Sequence, residues 1–408
     1  MNLPAFIARR IKKPGNGTFS SMIHNYAIIS VAVGLFVMIV AILIMVGFKK
    51  TVRDKVAIFN GDLQITKYTM GSTYEELPVT GDSVFFSELR KLPFIDHIQG
   101  VAHKVALIKT HDEIQGVVFK GIGNDFDFKR FDDDIIQGQF IKPADSTDST
   151  ASDQIVISRK IAGLLNISTG DPILVYFMQN PVRIRKLIVS GIYDSGMEEF
   201  DDKIVFGDIK LIQQLNGWGP GDVGTYEVFI KDPAHILEAQ NKLMDLTSYD
   251  LCVDSIRNKY DTIFDWLSLI NRNVLILLVL MLAVASFNMS SAIIILIMER
   301  TQMIGVLKAI GATSKQIRRI FWHNGTRLIY YGLFWGNLFG LGFGLVQSRF
   351  RLIPLDPENY YMRYVPIQWD WISIAGLNIM VLIIVSLTIY LPTIMIERIN
   401  PIKAIRYD

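Results

Sequence analysis

Four stretches of the chain carry no charged residue: Tyr26–Phe48, Val274–Met298, Leu328–Val346 and Ile372–Ile396. They are 23, 25, 19 and 25 residues long. A helix needs roughly 20 apolar residues to cross a bilayer, so the pattern predicts four transmembrane helices. Between the first two, apolar residues recur at strand and helix periods instead. Gly61–Tyr68 reads as a strand, Asp82–Leu92 as a helix, and Ile98–Thr110 with Glu113–Ile122 as a hairpin. Later, Thr225–Lys231 and Asp250–Ser255 read as strands around a helix at Pro233–Leu246. Within about 126–224 lies a second block: strands Gln154–Ser158, Ile173–Met178, Arg183–Tyr193 and Lys203–Phe206, with helices Arg159–Asn166 and Asp208–Asn216. The predicted fold is an α-helical membrane protein carrying a large extracytoplasmic α+β domain, a split α+β layer with an inserted mainly-β subdomain. A helix from Tyr260 is expected to run directly into the second span.

The predicted layout is a leader at 1–25, a span at 26–48, the α+β domain at 49–273 and a second span at 274–298. A loop at 299–327, a span at 328–346, a loop at 347–371, a span at 372–396 and a tail at 397–408 follow. The leader reads as an in-plane amphipathic helix: Leu3, Phe6, Ile7 and Ile11 form one stripe, and Arg9, Arg10, Lys12 and Lys13 the other.

Charge sets the orientation. The leader, the loop 299–327 and the tail are each rich in Lys and Arg, whereas residues 49–272 hold 25 basic and 33 acidic residues, net −8. Basic flanks mark the cytoplasmic side, so both termini are predicted to be cytoplasmic in a bacterial inner membrane, with the α+β domain periplasmic.

Composition narrows the function by exclusion. Half of the 408 residues are hydrophobic, 20% are charged and mean hydropathy is +0.31, which excludes a secreted or cytosolic enzyme and a disordered chain. The one cysteine, Cys252, cannot make an internal disulfide. There is no phosphate-binding loop of the G-x-x-x-x-G-K-[ST] type, no G-x-S-x-G elbow and no metal-binding histidine spacing. No catalytic residue, metal site or nucleic-acid surface is predicted. The spans hold no Asp, Glu, Lys or Arg, which argues against an ion-coupled transporter.

Two patterns remain. In the third span Gly332, Gly336, Gly340 and Gly344 recur every four residues, a spacing that lets another helix approach closely. In the loop, the segment from Glu299 to Thr313 reads as an extension of the second span. Gly311 stops it and Thr313 or Ser314 caps the next helix. Ile304 and Leu307 are expected to be exposed there. Periodicity leaves open whether this is a docking knob or a connector.

The same loop resembles the coupling region of FtsX-like and MacB-type ABC-transporter permeases, whose pattern runs roughly E-[KR]-x-x-E-I-G-[IV]-L-[KR]-A-[IL]-G-A. Glu299, Arg300, Ile304, Gly305, Leu307, Lys308, Ala309 and Gly311 match, as does Ala312. Met303 departs, standing where an acid is common. The ending Pro401-Ile402-Lys403-Ala404-Ile405-Arg406-Tyr407-Asp408 and the leader around Phe6-Ile7-Ala8-Arg9-Arg10 resemble those of the lipoprotein-releasing (LolC/LolE) permeases.

The resemblance implies a non-enzymatic permease subunit working by mechanotransmission. A second copy or paralogue pairs with it, and a cytoplasmic ATPase dimer docks on the segment from Glu299 to Gly311, Met303 included. ATP and Mg are held by that ATPase and no cofactor by this chain. Lipoprotein release toward the outer membrane is the first reading, with acyl chains of membrane lipid in a cavity between the first two spans. The alternatives are an efflux or peptide-export permease of the macrolide-exporter type and an FtsX-like signalling permease. Some lipoprotein-releasing permeases recruit a periplasmic lipoprotein carrier through a long hook. The matching turn here, Met178–Arg183, is too short for one, which leaves open a hookless partner, another carrier contact or another substrate.

Overall fold

The computed structural model describes residues 19–68, 76–80, 89, 91–110, 113–144, 150–356, 360–394 and 396. Residues 1–18 of the leader, most of the helix expected at Asp82–Leu92 and the tail at 397–408 lie outside the described residues. The chain divides into two compact units.

One unit holds residues up to Lys50, Trp266–Pro354 and those from Tyr364 on. Its helices are long: α1 at Phe19–Asn60 and α2 at Asp261–Glu299, each passing into the other unit at one end. The second span's helix thus begins one residue after Tyr260, which itself leaves helical geometry at φ −117° and ψ 44°. A short α3 follows at Thr301–Ala309, then α4 at Ser314–Phe350 and α5 at Trp371–Thr393. All but α3 contain stretches apolar and long enough to cross a membrane. Leu35, Ile39, Met289, Ile293, Ile329, Val381 and Val385 interlock in a shared core.

The other unit, Thr51–Asp265 with Leu355–Arg363, is built on a ten-stranded sheet. Its strands are β1 Leu63–Lys67, β3 Ile95–Lys109, β4 Ile114–Ile122, β5 Ile135–Gly138, β6 Gln154–Ser158, β7 Pro172–Phe177, β8 Arg183–Tyr193, β9 Ile204–Asp208, β11 Thr225–Ile230 and β12 Leu251–Ser255. The small strands β2 Val79–Thr80 and β10 Asp222–Val223 pair separately. Strand β3 is long enough to serve two partners on one edge: residues 95–101 pair with β11 and residues 106–109 with β7.

That sharing closes a ring. β3 pairs with β4, β4 with β9, β9 with β6, β6 with β8, β8 with β7, and β7 returns to β3. The inserted block is therefore not a separate sheet. It completes a barrel whose first wall belongs to the split layer, because β3 is too long for one partner sheet. Ala106, Ile108, Phe119, Val175, Phe177, Leu187, Val189 and Val205 are fully buried within the same core. Gly207 is required there, since a Cβ at that position would overlap the Phe119 ring.

Candidate functional site

The segment from Glu299 to Thr313 is built differently from the sequence expectation. It does not continue the second span. Helix α2 ends at Glu299, Arg300 turns the backbone to φ −102° and ψ 17°, and α3 starts afresh at Thr301. At the break the Thr301 hydroxyl donates to the carbonyls of Met298 at 2.7 Å and Ile297 at 3.2 Å, binding carbonyls at the end of the helix. Gly311, at φ +95°, ends the turn after α3, a backbone conformation that favours glycine. Thr313 opens α4 with a reciprocal capping box to Gln316.

The burial of α3 corrects a second expectation. Ile304 and Gly305 are buried, and Ile304 joins the core with Ile317 and Phe321. Met303 and Leu307 are partly buried against that core. Lys308 donates to the Ile396 carbonyl at 2.7 Å. The side chains that project are Gln302, Val306, Ala309 and Ile310, and Ile310 is 75% exposed. Their i, i+4, i+7, i+8 spacing makes one helical face. Glu299 is exposed and Arg300 partly buried. Periodicity alone could not distinguish the two faces, because both are apolar.

The glycines of α4 lie along α1. A Cβ on Gly332 would stand 2.7 Å from Val31 Cβ, one on Gly336 2.8 Å from Leu35 Cβ, one on Gly340 3.1 Å from Ile39 Cβ and one on Gly344 2.8 Å from Leu43 Cδ1. Both helices advance by four residues at each step, so they run parallel in fixed register. Beside this seam lies an apolar cavity of about 770 Å³, lined by Ile29, Val33 and Phe36 of α1 and Trp335, Phe339 and Phe343 of α4. It lies between the first and third spans, whereas the acyl cavity expected from the family lies between the first two.

In the α+β unit, the end of α1 is held by a buried network that the sequence did not signal. Lys120 and Glu227 are fully buried and 2.7 Å apart. Lys120 Nζ also donates to the Phe59 carbonyl at 2.5 Å. Gln99 donates to the other Glu227 oxygen at 2.8 Å. The Phe59 ring stacks on Phe200 at 4.6 Å and meets Phe131 edge-on at 5.2 Å. Tyr260 then donates to Asn60 at 3.0 Å, tying the last turn of α1 to the residue that precedes α2.

A second buried cluster centres on Asp201. Ser195 Oγ donates to it at 2.7 Å and the Gly196 amide at 3.1 Å. Burial nevertheless raises its carboxyl, the Ser195 and Gly196 donors only partly oppose that, Asp194 adds a smaller upward push, and the net result is about 6. Lys55 of α1 donates to the Ser195 carbonyl in the same loop. Among the described residues there is no His, Cys, Asp and Glu grouping fit for a metal. His103 Nδ1 is occupied by Glu76 Oε1 at 2.8 Å, and His111 lies outside the described residues.

Two family models match the chain. Residues 26–246 match the MacB-like periplasmic core domain, and residues 275–401 match the FtsX-like permease C-terminal family. A lipoprotein-releasing system transmembrane protein LolC from Xylella fastidiosa is 21% identical over 97% of this chain and 96% of its own length. One from Neisseria meningitidis is 22% identical over 100% of both. The periplasmic region of MacB from Actinobacillus actinomycetemcomitans covers 49% of this chain and 91% of its own, at 14% identity and a TM-score of 0.34, too loose a likeness to add to the strand order above.

Proposed function

Because this chain belongs to the permease family marked by the MacB-like periplasmic core domain and the FtsX-like C-terminal region, we propose that it is the membrane subunit of an ATP-driven machine releasing lipoproteins from the bacterial inner membrane. In this reading the α+β domain is periplasmic and the termini cytoplasmic. A second permease subunit pairs with it, and ATP and Mg are bound by a separate ATPase.

The observation that carries the reading is the projecting face of α3, with Gln302, Val306, Ala309 and Ile310 outward. An apolar helix face on a polar loop gains nothing in water, but contributes when a partner's groove covers it. Full-length similarity to proteins named for lipoprotein release supports the choice of substrate. The apolar cavity of about 770 Å³ beside α1 suits acyl chains, each methylene of which costs about 0.8 kcal/mol to expose to water.

The test is reconstitution with an ABC ATPase that co-purifies with this chain. Release of a triacylated lipoprotein into the soluble fraction should require ATP. Val306→Asp with Ile310→Asp should detach the ATPase, since truncating a central contact often costs over about 1 kcal/mol, while membrane insertion persists. Retained ATPase binding would reduce α3 to a connector. Intact ATPase binding without lipoprotein release would direct the search to peptide or small-molecule export.

A further inference from the structure

The chain between α4 and α5 forms a small hairpin. Pro354 and Tyr364 bridge antiparallel, the Leu355 amide donates to the Arg363 carbonyl at 2.9 Å, and the Val365 amide donates to the Ile353 carbonyl at 3.1 Å. Its base belongs to the membrane-helix unit and its tip, Leu355–Arg363, to the α+β unit. The two ends are held differently. At the base, Gln347 of α4 is 1% exposed. Its amide donates to the Val365 carbonyl at 3.1 Å and its oxygen accepts from the Ile353 amide at 3.2 Å, so one buried side chain grips both strands. The Gln368 amide donates to the Leu43 carbonyl of α1 at 3.3 Å. Pro366 lies so close to α1 that a Cβ on Gly47 would stand 2.6 Å from the Pro366 carbonyl oxygen. At the tip, Arg363 pairs with Asp194 at 2.8 Å, and Met362, 4% exposed, adds apolar contact.

Asp194 is a fixed anchor with a spare partner. Its amide donates to the Asp134 carbonyl at 2.8 Å, and the carbonyl of the next residue, Ser195, accepts from Lys55 of α1. The Asp194 side chain is 10% exposed, yet the oxygen that takes Arg363 also takes Arg159 at 3.2 Å. The Arg159 and Arg363 side chains are 68% and 58% exposed. Breaking a buried ion pair is costly because it strands a charge. Here Arg363 can leave: water solvates its guanidinium, and Arg159 keeps Asp194 paired. Two like charges on one oxygen also repel, and the departure of one relieves that.

We propose that the hairpin tip is a releasable latch: Arg363 leaves Asp194 and returns to it, and Arg159 holds the carboxylate in between. Met362 makes the closed form the resting one. Opening frees the α+β unit from the loop that joins α4 to α5, while the hairpin base and the hold of Lys55 on Ser195 persist. The latch is a property of this chain alone. Only its driver, the ATP-driven cycle, rests on the permease reading.

The experiment places spin labels at Tyr360→Cys on the hairpin tip and Leu164→Cys on the helix Arg159–Leu165, both exposed positions. The full-length chain carries Cys252→Ser and sits in lipid nanodiscs. The distance distribution should hold a major short and a minor long component. Arg363→Ala should raise the long-to-short ratio about fivefold, the effect of losing an exposed ion pair, and Met362→Ala should raise it too. Measured against Met362→Ala, Arg159→Ala should lower the ratio, since Asp194 then has no partner once Arg363 leaves. A general loosening of the fold would move both arginine variants the same way. Adding the co-purifying ATPase with ATP should populate the long component in the chain with both arginines. A single distance in every variant, or both arginine variants shifting in one direction, would overturn the latch. An ATPase that drives lipoprotein release without changing the distances would overturn its place in the cycle. Absence of release altogether counts against the permease reading, and the arginine comparison still decides the latch.

Discussion

Asn337 of α4 and Asn378 of α5 exchange two side-chain hydrogen bonds, at 2.6 Å and 3.0 Å. Each amide also donates to the carbonyl four residues earlier in its own helix, at Leu333 and Ile374. The pair therefore joins two helices inside the apolar unit with no donor wasted, and fixes their rotation about their axes.

Such a pair should show coupling in a double-mutant cycle. Asn337→Leu or Asn378→Leu alone leaves one amide without its partner in an apolar setting. The two together should cost less than the sum, with a coupling energy of about 0.6–1.7 kcal/mol. Unfolding of the purified chain in mixed detergent measures it. Additive effects would mean that each asparagine is satisfied by its own helix.

Gly336 and Gly342 make a matched test of the seam. A Cβ on Gly336 would meet the Ala32 carbonyl oxygen at 2.9 Å as well as Leu35, whereas one on Gly342 meets nothing within 4 Å. Gly336→Ala should destabilise by about 1–3 kcal/mol, because α1 must be pushed outward. Gly342→Ala should be neutral or slightly stabilising, since alanine is the better helix former. Thermal denaturation in detergent separates them.

Lys120→Met should destabilise the α+β unit by about 3–5 kcal/mol, leaving Glu227 charged and buried. Lys120→Met with Glu227→Met should recover most of that loss, since the whole ion pair is then replaced by apolar volume. Recovery will be incomplete because Gln99 loses an acceptor. Denaturant titration of both variants is the measurement, and a double variant no better than the single would refute a paired-charge origin.

Asp201 predicts a pH dependence of definite sign. Its folded-state carboxyl titrates near 6 against an ordinary value of 3.8, so the folded chain binds the proton more tightly than the unfolded one. The cost of ionising it is fully present above about pH 6 and is relieved as pH falls toward 4. Between pH 7 and 5 the unaltered chain should gain stability, by on the order of 1–2 kcal/mol, relative to Asp201→Asn. A melting-temperature difference between the two chains that is flat across that window would count against burial as the dominant influence on Asp201.

Local patterns were legible. The apolar runs place four helices because length and hydropathy suffice to define a span, and strands such as Gln154–Ser158 and Arg183–Tyr193 show themselves by alternation and by the turns beside them. The stop at Gly311 and the cap at Thr313 were legible for the same reason, since each depends on residues within one turn. Three things were not. The break at Arg300 comes with a hydroxyl reaching back to Met298, a contact that the polar stretch Glu299–Gln302 does not announce. The inward and outward faces of α3 depend on where Ile317 and Phe321 stand. Lys120 and Glu227 are 107 residues apart, and each alone reads as a surface charge.

The residues by themselves determined that this chain crosses a membrane, that a large α+β domain separates its first two spans, and which loop carries the permease signature, because helix length, strand period and turn chemistry are properties of contiguous residues. Only the tertiary structure decided that β3 serves two partners and closes a barrel, that Ile304 turns inward while Val306 and Ile310 turn out, and that a buried lysine holds the end of the first helix. Those outcomes rest on contacts between distant segments, where burial is settled by what packs opposite a residue and not by the residue's own polarity.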